Sequence, residues 1–85
     1  MYLHLGEETI VKEKDIVGIF DMDRATVSVH TRRFLTQAQK DNKIVSINYE
    51  LPKSFVVCEN KEKERIYISQ LSPSTLKKRS EKKQF

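Results

Sequence analysis

Few residues in this sequence have the types and spacing that catalysis or metal binding needs. His4 and His30 lie far apart, and neither has another histidine, cysteine or carboxylate at metal-ligand spacing. Cys58 is the single cysteine and lies in the apolar segment FVVCE, which favours a buried strand position over a reactive thiol. Asp21 and Asp23 alternate in FDMDR, a pattern more typical of a turn than of a cation site. We therefore predict a protein that is not an enzyme and that has no catalytic residues, no metal and no cofactor.

The basic residues form a pattern that points to a function. One group lies on the exposed face of a predicted helix, and another lies in the C-terminal segment KKRSEKK. Cations placed in this way can contact the phosphates of a nucleic acid. Each group is also typical of an ordinary solvated helix face or of a solubilising tail. The candidate phosphate contacts of the two groups are Arg32, Arg33, Lys40, Lys77, Lys78 and Arg79.

Charge is segregated along the chain, whose formal net charge is +4. Residues 1–23 carry six acidic residues against two lysines, a balance of −4, whereas residues 24–85 carry fourteen basic residues against six acidic ones, a balance of +8. A surface that concentrates the second set attracts a polyanion, most plausibly nucleic acid. Charge by itself describes only non-specific attraction.

Composition limits the class of protein. The chain has 85 residues, 38% hydrophobic and 33% charged, a balance typical of one small globular domain. We expect a domain at residues 1–79 and a flexible basic tail at residues 80–85, with oligomerisation to supplement a small core. No apolar segment is long enough to cross a membrane, and the first residues do not resemble a secretory signal. A cytoplasmic location is expected, with nucleoid association if the protein binds DNA.

Short apolar segments, several of them alternating with polar residues, predict two or three strands before the main helix and three after it. Gly18 lies inside one of them and suggests a bulge or a close backbone contact, while Gly6 ends the first at a position where a positive φ is easily accommodated. Residues 22–25 are expected to form a loop, and the charged segment NKEKE a turn. The predicted strands are MYLHL, Ile10–Val11, Ile16–Phe20, KIVSINYE, SFVVCE and RIYISQL.

The main helix is predicted near residues 29–41. Leu35 and Ala38 are three residues apart and form an apolar stripe with their neighbours. Ser28 is a suitable N-cap, and Asn42 is a residue type that often adopts the left-handed conformation after a helix. The polar and basic residues then lie on the opposite face.

A short second helix is predicted in SPSTLKKR, where Ser72 is the N-cap, Pro73 the first helical residue and Leu76 the apolar anchor. The tail after Arg79 is expected to fray. The predicted fold is therefore α+β, with a small, mostly antiparallel β-sheet covered by one main helix and a short C-terminal helix.

Several of these segments together resemble a known family. DIVGIFD, RRFLTQAQKDNKIVSINYE, FVVCE and IYISQLSPSTLKKR are similar to the RemA/RemB group of small bacterial extracellular-matrix regulatory proteins. The start MYLHLGEE and the ending LSPSTLKKR resemble its RemB branch. This resemblance, which covers nearly the whole chain, implies a non-enzymatic, DNA-binding regulator of biofilm matrix genes. The RemA branch is similar to the DNA-binding domain of LytTR response regulators and forms rings, so the resemblance also implies a ring-shaped homo-oligomer.

The resemblance extends to individual positions in part. Lys14 in KEKDIVGIF stands where the RemA branch has a basic residue, so the resemblance implies a DNA contact there. The arginine-rich loop of that branch corresponds to ELPKS, in which Glu50, Leu51 and Pro52 replace expected cations and Lys53 remains as a candidate DNA contact. Fewer cations per subunit would weaken phosphate contacts in every repeat of a ring.

Two functions therefore stay open at this point. One is a homo-oligomeric regulator that binds double-stranded DNA through repeated basic patches. The other is a protein-interaction module of the same fold that acts through a RemA-type partner, because a loop with leucine and proline suits an apolar contact better than a phosphate. An RNA-binding or structural role ranks third, since the chain lacks the exposed aromatic pattern of single-strand binders.

Overall fold

The computed structural model describes residues 2–47, 51–61 and 63–82, with side chains described as far as residue 79. Six strands, three α-helices and one 3-10 turn follow one another in these ranges. The elements are β1 (Tyr2–Gly6), β2 (Thr9–Lys12), the 3-10 turn (Glu13–Asp15), β3 (Ile16–Asp21), α1 (Met22–Ala25), α2 (Val29–Lys40), β4 (Ile44–Ser46), β5 (Ser54–Asn60), β6 (Lys63–Ser69) and α3 (Pro73–Lys82).

The strands form two sheets. The larger sheet has the order β3-β5-β6-β4, in which β5 pairs antiparallel with both β3 and β6, and β4 pairs parallel with β6. Strands β1 and β2 form a separate antiparallel hairpin. The predicted α+β fold with mostly antiparallel strands is confirmed. That the first two strands leave the main sheet was not foreseen from the sequence.

The larger sheet is covered on both faces. On one face, Phe55, Val57 and Ile66 pack against Ala38 of α2. On the other, Val56 packs with apolar residues of the β1–β2 hairpin and with α3. Side chains alternate between the faces of a strand, so the apolar run at the centre of β5 supplies both cores. The buried residues of the second core are Leu3, Leu5, Val11, Val56, Cys58 and Leu76.

Local signals set the ends of α2 as predicted. The backbone N–H of Thr31 donates to Ser28 Oγ at 3.5 Å, so Ser28 is the N-cap. Asn42 follows the helix with φ 58°, the left-handed conformation expected of it. The helix covers Val29–Lys40, one residue shorter than the predicted range.

The predicted loop at residues 22–25 is wrong, because these residues form helix α1. Asp21 caps this helix by accepting a hydrogen bond at its Oδ1 atom from the Arg24 backbone N–H at 3.0 Å. The backbone N–H of Met22 donates to the carbonyl oxygen of Lys53 at 3.0 Å. This second bond comes from a distant part of the chain, so local patterns did not reveal it.

Both glycines occupy the backbone positions that require them. Gly6 has φ 125°, at the turn between β1 and β2. The pairing of β3 with β5 shifts between Ile16 and Gly18, which confirms the expected bulge. A Cβ atom at Gly18 would lie 2.7 Å from the ring of Phe20, so the bulge also places the backbone against an aromatic side chain.

The remaining strands differ in length from the predicted ones. Strand β4 is limited to Ile44–Ser46, and residues 48–50 of the predicted strand lie outside the described residues. Strand β6 begins at Lys63, within the segment expected to be a turn, because the β5–β6 ladder continues to the pair Asn60 and Lys63. Ser72 caps α3 as predicted by accepting a hydrogen bond from the Thr75 N–H at 3.2 Å.

Cys58 is a core residue, as expected. Its side chain is buried beside Val56, and burial, followed by the charge of Asp15, raises the pKa of the thiol to about 11. The thiol is therefore protonated near neutral pH and is a poor nucleophile.

Candidate nucleic-acid interface

The solvent-facing side of α2 carries a continuous polar and basic surface. Ala38 and Leu35 lie on the side that packs against the sheet, so the residues on the opposite side project outward. They line a shallow groove of about 370 Å³ along the helix. We call this surface the α2 stripe, and its members are Arg32, Arg33, Thr36, Gln37 and Lys40.

The charges of the α2 stripe are available to a ligand. Within the described residues, Arg33 and Lys40 form no ion pair. Arg32 donates from Nη1 to the carbonyl oxygen of Thr26 at 3.1 Å, which holds its guanidinium near the start of the helix. The first turn of α2 has no acidic residue, so the positive end of the helix dipole adds to the field of the two arginines. This end of α2 attracts anions.

Lys53 lies at the same end of the sheet as Arg32. It precedes β5, and its carbonyl oxygen accepts the bond from Met22 that fixes α1, the helix immediately before Thr26. The side chain of Lys53 is exposed, as are Leu51 and Pro52 before it. Glu50, the expected repulsive residue of the ELPKS segment, lies outside the described residues.

Lys14 lies far from this end. It is exposed in the 3-10 turn between Glu13 and Asp15, just before Ile16, which pairs with Cys58. The other end of the β3–β5 ladder pairs Asp21 with Ser54. Four residues of strand separate the two ends, a distance of about 13 Å. Lys14 and Lys53 therefore belong to different parts of the surface.

The cations of α3 belong to the opposite face of the sheet, because α3 packs with the hairpin rather than with α2. Lys77 and Lys78 are exposed. Arg79 is half-buried and donates from Nη1 to the carbonyl oxygen of His4 at 3.3 Å, with His4 Nδ1 at 3.5 Å. Its guanidinium thus joins α3 to β1.

The structure therefore brings only some of the candidate residues together. Arg32, Arg33 and Lys53 share one end of the molecule, and Lys40 extends the same helix face by about 12 Å. Lys14 and the α3 cations lie elsewhere. The assignment of all eight residues to DNA remains a prediction.

One group of basic residues was missed from the sequence. Lys63 and Arg65 lie on the hairpin-facing side of β6 together with Tyr67, because residues at alternate positions share a face. The spacing of two residues in KERIYIS was the signal that could have found them. They line a cavity with Lys12 of β2.

Comparison with known proteins gives two findings. Residues 2–79 match the family model described as RemA-like, extracellular matrix regulatory protein A-like. The chain is also 46% identical, over 81 residues, to extracellular matrix regulatory protein B of Bacillus subtilis (strain 168). That match covers 95% of this chain and 91% of the Bacillus protein. Within the described residues, no helix has the length and apolar character needed to cross a membrane.

Proposed function

The chain belongs to the RemA-like family of extracellular matrix regulatory proteins, and on this basis we propose that it regulates matrix genes by binding duplex DNA as a homo-oligomer. The observation that carries the DNA-binding part is the α2 stripe, a row of exposed cations that begins near the positive end of a helix and continues along it to Lys40. Lys53 extends this surface at the same end of the sheet.

The length of the α2 stripe suits contact with more than one phosphate. Arg32 and Lys40 are eight residues apart on the helix, about 12 Å along its axis. The charges of one DNA strand are spaced about 3.4 Å apart along the DNA axis. Thr36 lies between the cations and adds a hydroxyl donor for a phosphate oxygen, whereas the Gln37 amide already donates to Asp41 Oδ1 at 3.2 Å.

Assembly compensates for the small number of cations in one protomer. The edge strand β3 presents Val17 and Phe20 to solvent. Exposed apolar side chains on an edge strand are suited to contacts between copies. A ring built from such contacts would repeat each basic patch around its rim and raise the affinity for one duplex.

A titration of matrix-promoter duplex by fluorescence anisotropy, at two salt concentrations, tests DNA binding. We expect affinity to fall with salt, and Arg33→Glu to weaken binding by roughly tenfold, since it replaces a phosphate contact by a repulsive charge. Lys61→Glu, an equal charge change in the exposed β5–β6 turn, is the matched control and should have a small effect.

Absence of binding at low salt, or an affinity indifferent to salt, would refute DNA binding. The double variant Lys77→Glu/Lys78→Glu tests which face of the sheet binds DNA, because both lysines are exposed on α3, on the face opposite α2. If this variant lost affinity while Arg33→Glu kept it, α3 rather than α2 would be the interface.

A second function is favoured by Leu51, which is 86% exposed. Together with Leu71 and the stem of Lys53 it borders an apolar surface depression. Such a surface suits a protein partner, for which a RemA-type relative is the candidate. Leu51→Ser should abolish co-purification of the two proteins and leave DNA affinity unchanged if this function is correct. Unchanged co-purification would exclude Leu51 as the contact.

A further inference from the structure

A cavity of about 340 Å³ lies between the β1–β2 hairpin and the larger sheet. The hairpin covers Val56 completely, but toward the end of β5 this cover is lost and Asn60 is exposed. The cavity opens where the cover ends, with Cys58 deep in it and Lys63 at its rim. Its volume is at the small end of the range of about 300–1,000 Å³ for small-molecule sites.

Cations from two strands line the cavity. The β5–β6 register pairs Cys58 with Arg65 and Asn60 with Lys63, so both basic residues face the hairpin. Lys12 approaches from the end of β2. Within the described residues, Lys12 and Lys63 form no ion pair, and Arg65 donates from Nη1 only to the carbonyl oxygen of Glu64 at 2.9 Å. Three cations therefore line the cavity, together with the single carboxylate of Asp15.

The cavity also has aromatic and apolar groups. Tyr67 lies beside Arg65 on the hairpin-facing side of β6. Tyr2 and Ile10 lie on the exposed side of the hairpin, opposite the buried Leu3 and Val11, so they form the outer rim of the cavity. A flat ring inserted here would lie against Tyr67, and stacking on an aromatic side chain is how proteins bind bases.

One carboxylate, that of Asp15, also lines the cavity. Its charge and the burial of the site raise the pKa of both Cys58 and Tyr67, burial being the larger cause for each. The thiol and the phenol are therefore neutral near pH 7, and the phenol can donate a hydrogen bond. The site is suited to reversible binding rather than to covalent chemistry.

We propose that this cavity binds a free nucleoside phosphate. The phosphate is held by Lys12, Lys63 and Arg65, which supply charge-assisted hydrogen bonds. The base lies against Tyr67, with Tyr2 at the rim of the cavity. The Asp15 carboxylate accepts hydrogen bonds from ribose hydroxyls, a use of acidic residues common in nucleotide sites.

The combination of groups selects this ligand class. Inorganic phosphate would contact the three cations but leave Tyr67 without a stacking partner. An uncharged aromatic molecule would stack on Tyr67 but leave the three cations without an anionic partner. The cavity lies on the hairpin side of the sheet, opposite the α2 stripe. The inference goes beyond the proposed function and does not depend on DNA binding.

Isothermal titration calorimetry of the full chain with AMP, GMP, CMP and UMP tests the proposal. We expect saturable binding of at least one nucleotide. Adenosine or guanosine without phosphate, and inorganic phosphate alone, should bind at least about tenfold more weakly, because each offers one of the two parts. Lys63→Glu should weaken nucleotide binding by roughly tenfold.

Lys61→Glu is again the matched control, because it makes the same charge change in the β5–β6 turn, two residues from Lys63, without lining the cavity. Tyr2→Ala tests the contribution of this aromatic side chain to binding. Because Tyr2 is 54% exposed, the substitution should leave the fold intact. No binding of any nucleotide, equal loss in Lys61→Glu and Lys63→Glu, or inorganic phosphate binding as tightly as the nucleotide would overturn the proposal. Binding of a single-stranded oligonucleotide but of no free nucleotide would also overturn it.

Discussion

Replacing Leu76 with alanine should strongly destabilise the domain, because Leu76 anchors α3. Among the described side chains of this helix, residues 73–79, Leu76 is the only buried one, with 0% of its surface exposed. It packs with Leu3, Leu5 and Val11 of the hairpin. Truncating a fully buried leucine costs about 2–5 kcal/mol, of which part is the transfer of the lost groups and part the cavity left behind.

The magnitude is large for a chain of this size. At about 0.05–0.15 kcal/mol per residue, a domain of 85 residues has a total stability of roughly 4–13 kcal/mol. A loss of about 3 kcal/mol, at about 4–8 °C per kcal/mol, lowers Tm by roughly 12–24 °C. Thermal and urea unfolding followed by circular dichroism measure the change.

Leu51→Ala is the matched control, because it makes the same chemical change at a side chain that is 86% exposed. It should alter the free energy of unfolding by less than about 0.5 kcal/mol. If Leu76→Ala cost less than about 1 kcal/mol, or no more than Leu51→Ala, the reasoning that α3 closes the second core would be refuted.

Two further predictions concern the larger sheet. Gly18→Ala should cost about 1–3 kcal/mol in urea unfolding, because the new Cβ would lie 2.7 Å from the Phe20 ring, which cannot turn aside without losing its stacking on Phe55. The same substitution should cost less in a Phe20→Leu background, and an unchanged urea midpoint in Gly18→Ala would contradict this cause. The free energy of unfolding should fall as pH rises from about 9 to about 11, since burial raises the pKa of Cys58 from 9.0 to about 11 and the unfolded chain ionises first. Cys58→Ala should reduce this slope in urea titrations at several pH values, and a slope identical in both proteins would exclude the thiol as its cause.

The parts of the fold that were predicted correctly depend on neighbours in the chain. Ser28 and Asn42 mark the ends of α2 by capping and by left-handed geometry, both of which involve only a few adjacent residues. Ser72 and Pro73 mark the start of α3 in the same way. Such signals can be recognised in the sequence because they do not depend on tertiary contacts.

The parts that were missed depend on contacts between distant segments. Helix α1 has a local N-cap in Asp21, a residue type that is equally common in turns, and its second support is the bond between Met22 and Lys53, about thirty residues apart. The continuous apolar run within β5 indicates two covered faces, but not which element covers each. For the same reason, the sequence grouped cations of α2 and α3 that lie on opposite sides of the sheet.

The two-sided arrangement also separates the two proposed binding surfaces. Phe55 and Val57 of β5 face α2, whereas Val56 and Cys58 face the hairpin and the cavity. A nucleotide in the cavity would therefore not block DNA at the α2 stripe of the same protomer by direct contact. Any influence of one ligand on the other would have to pass through β5 or through contacts between protomers, since coupling between sites requires a shared structural element that both ligands affect. Strand β5 is the element common to both surfaces, so measuring DNA affinity with and without nucleotide gives the coupling free energy between them.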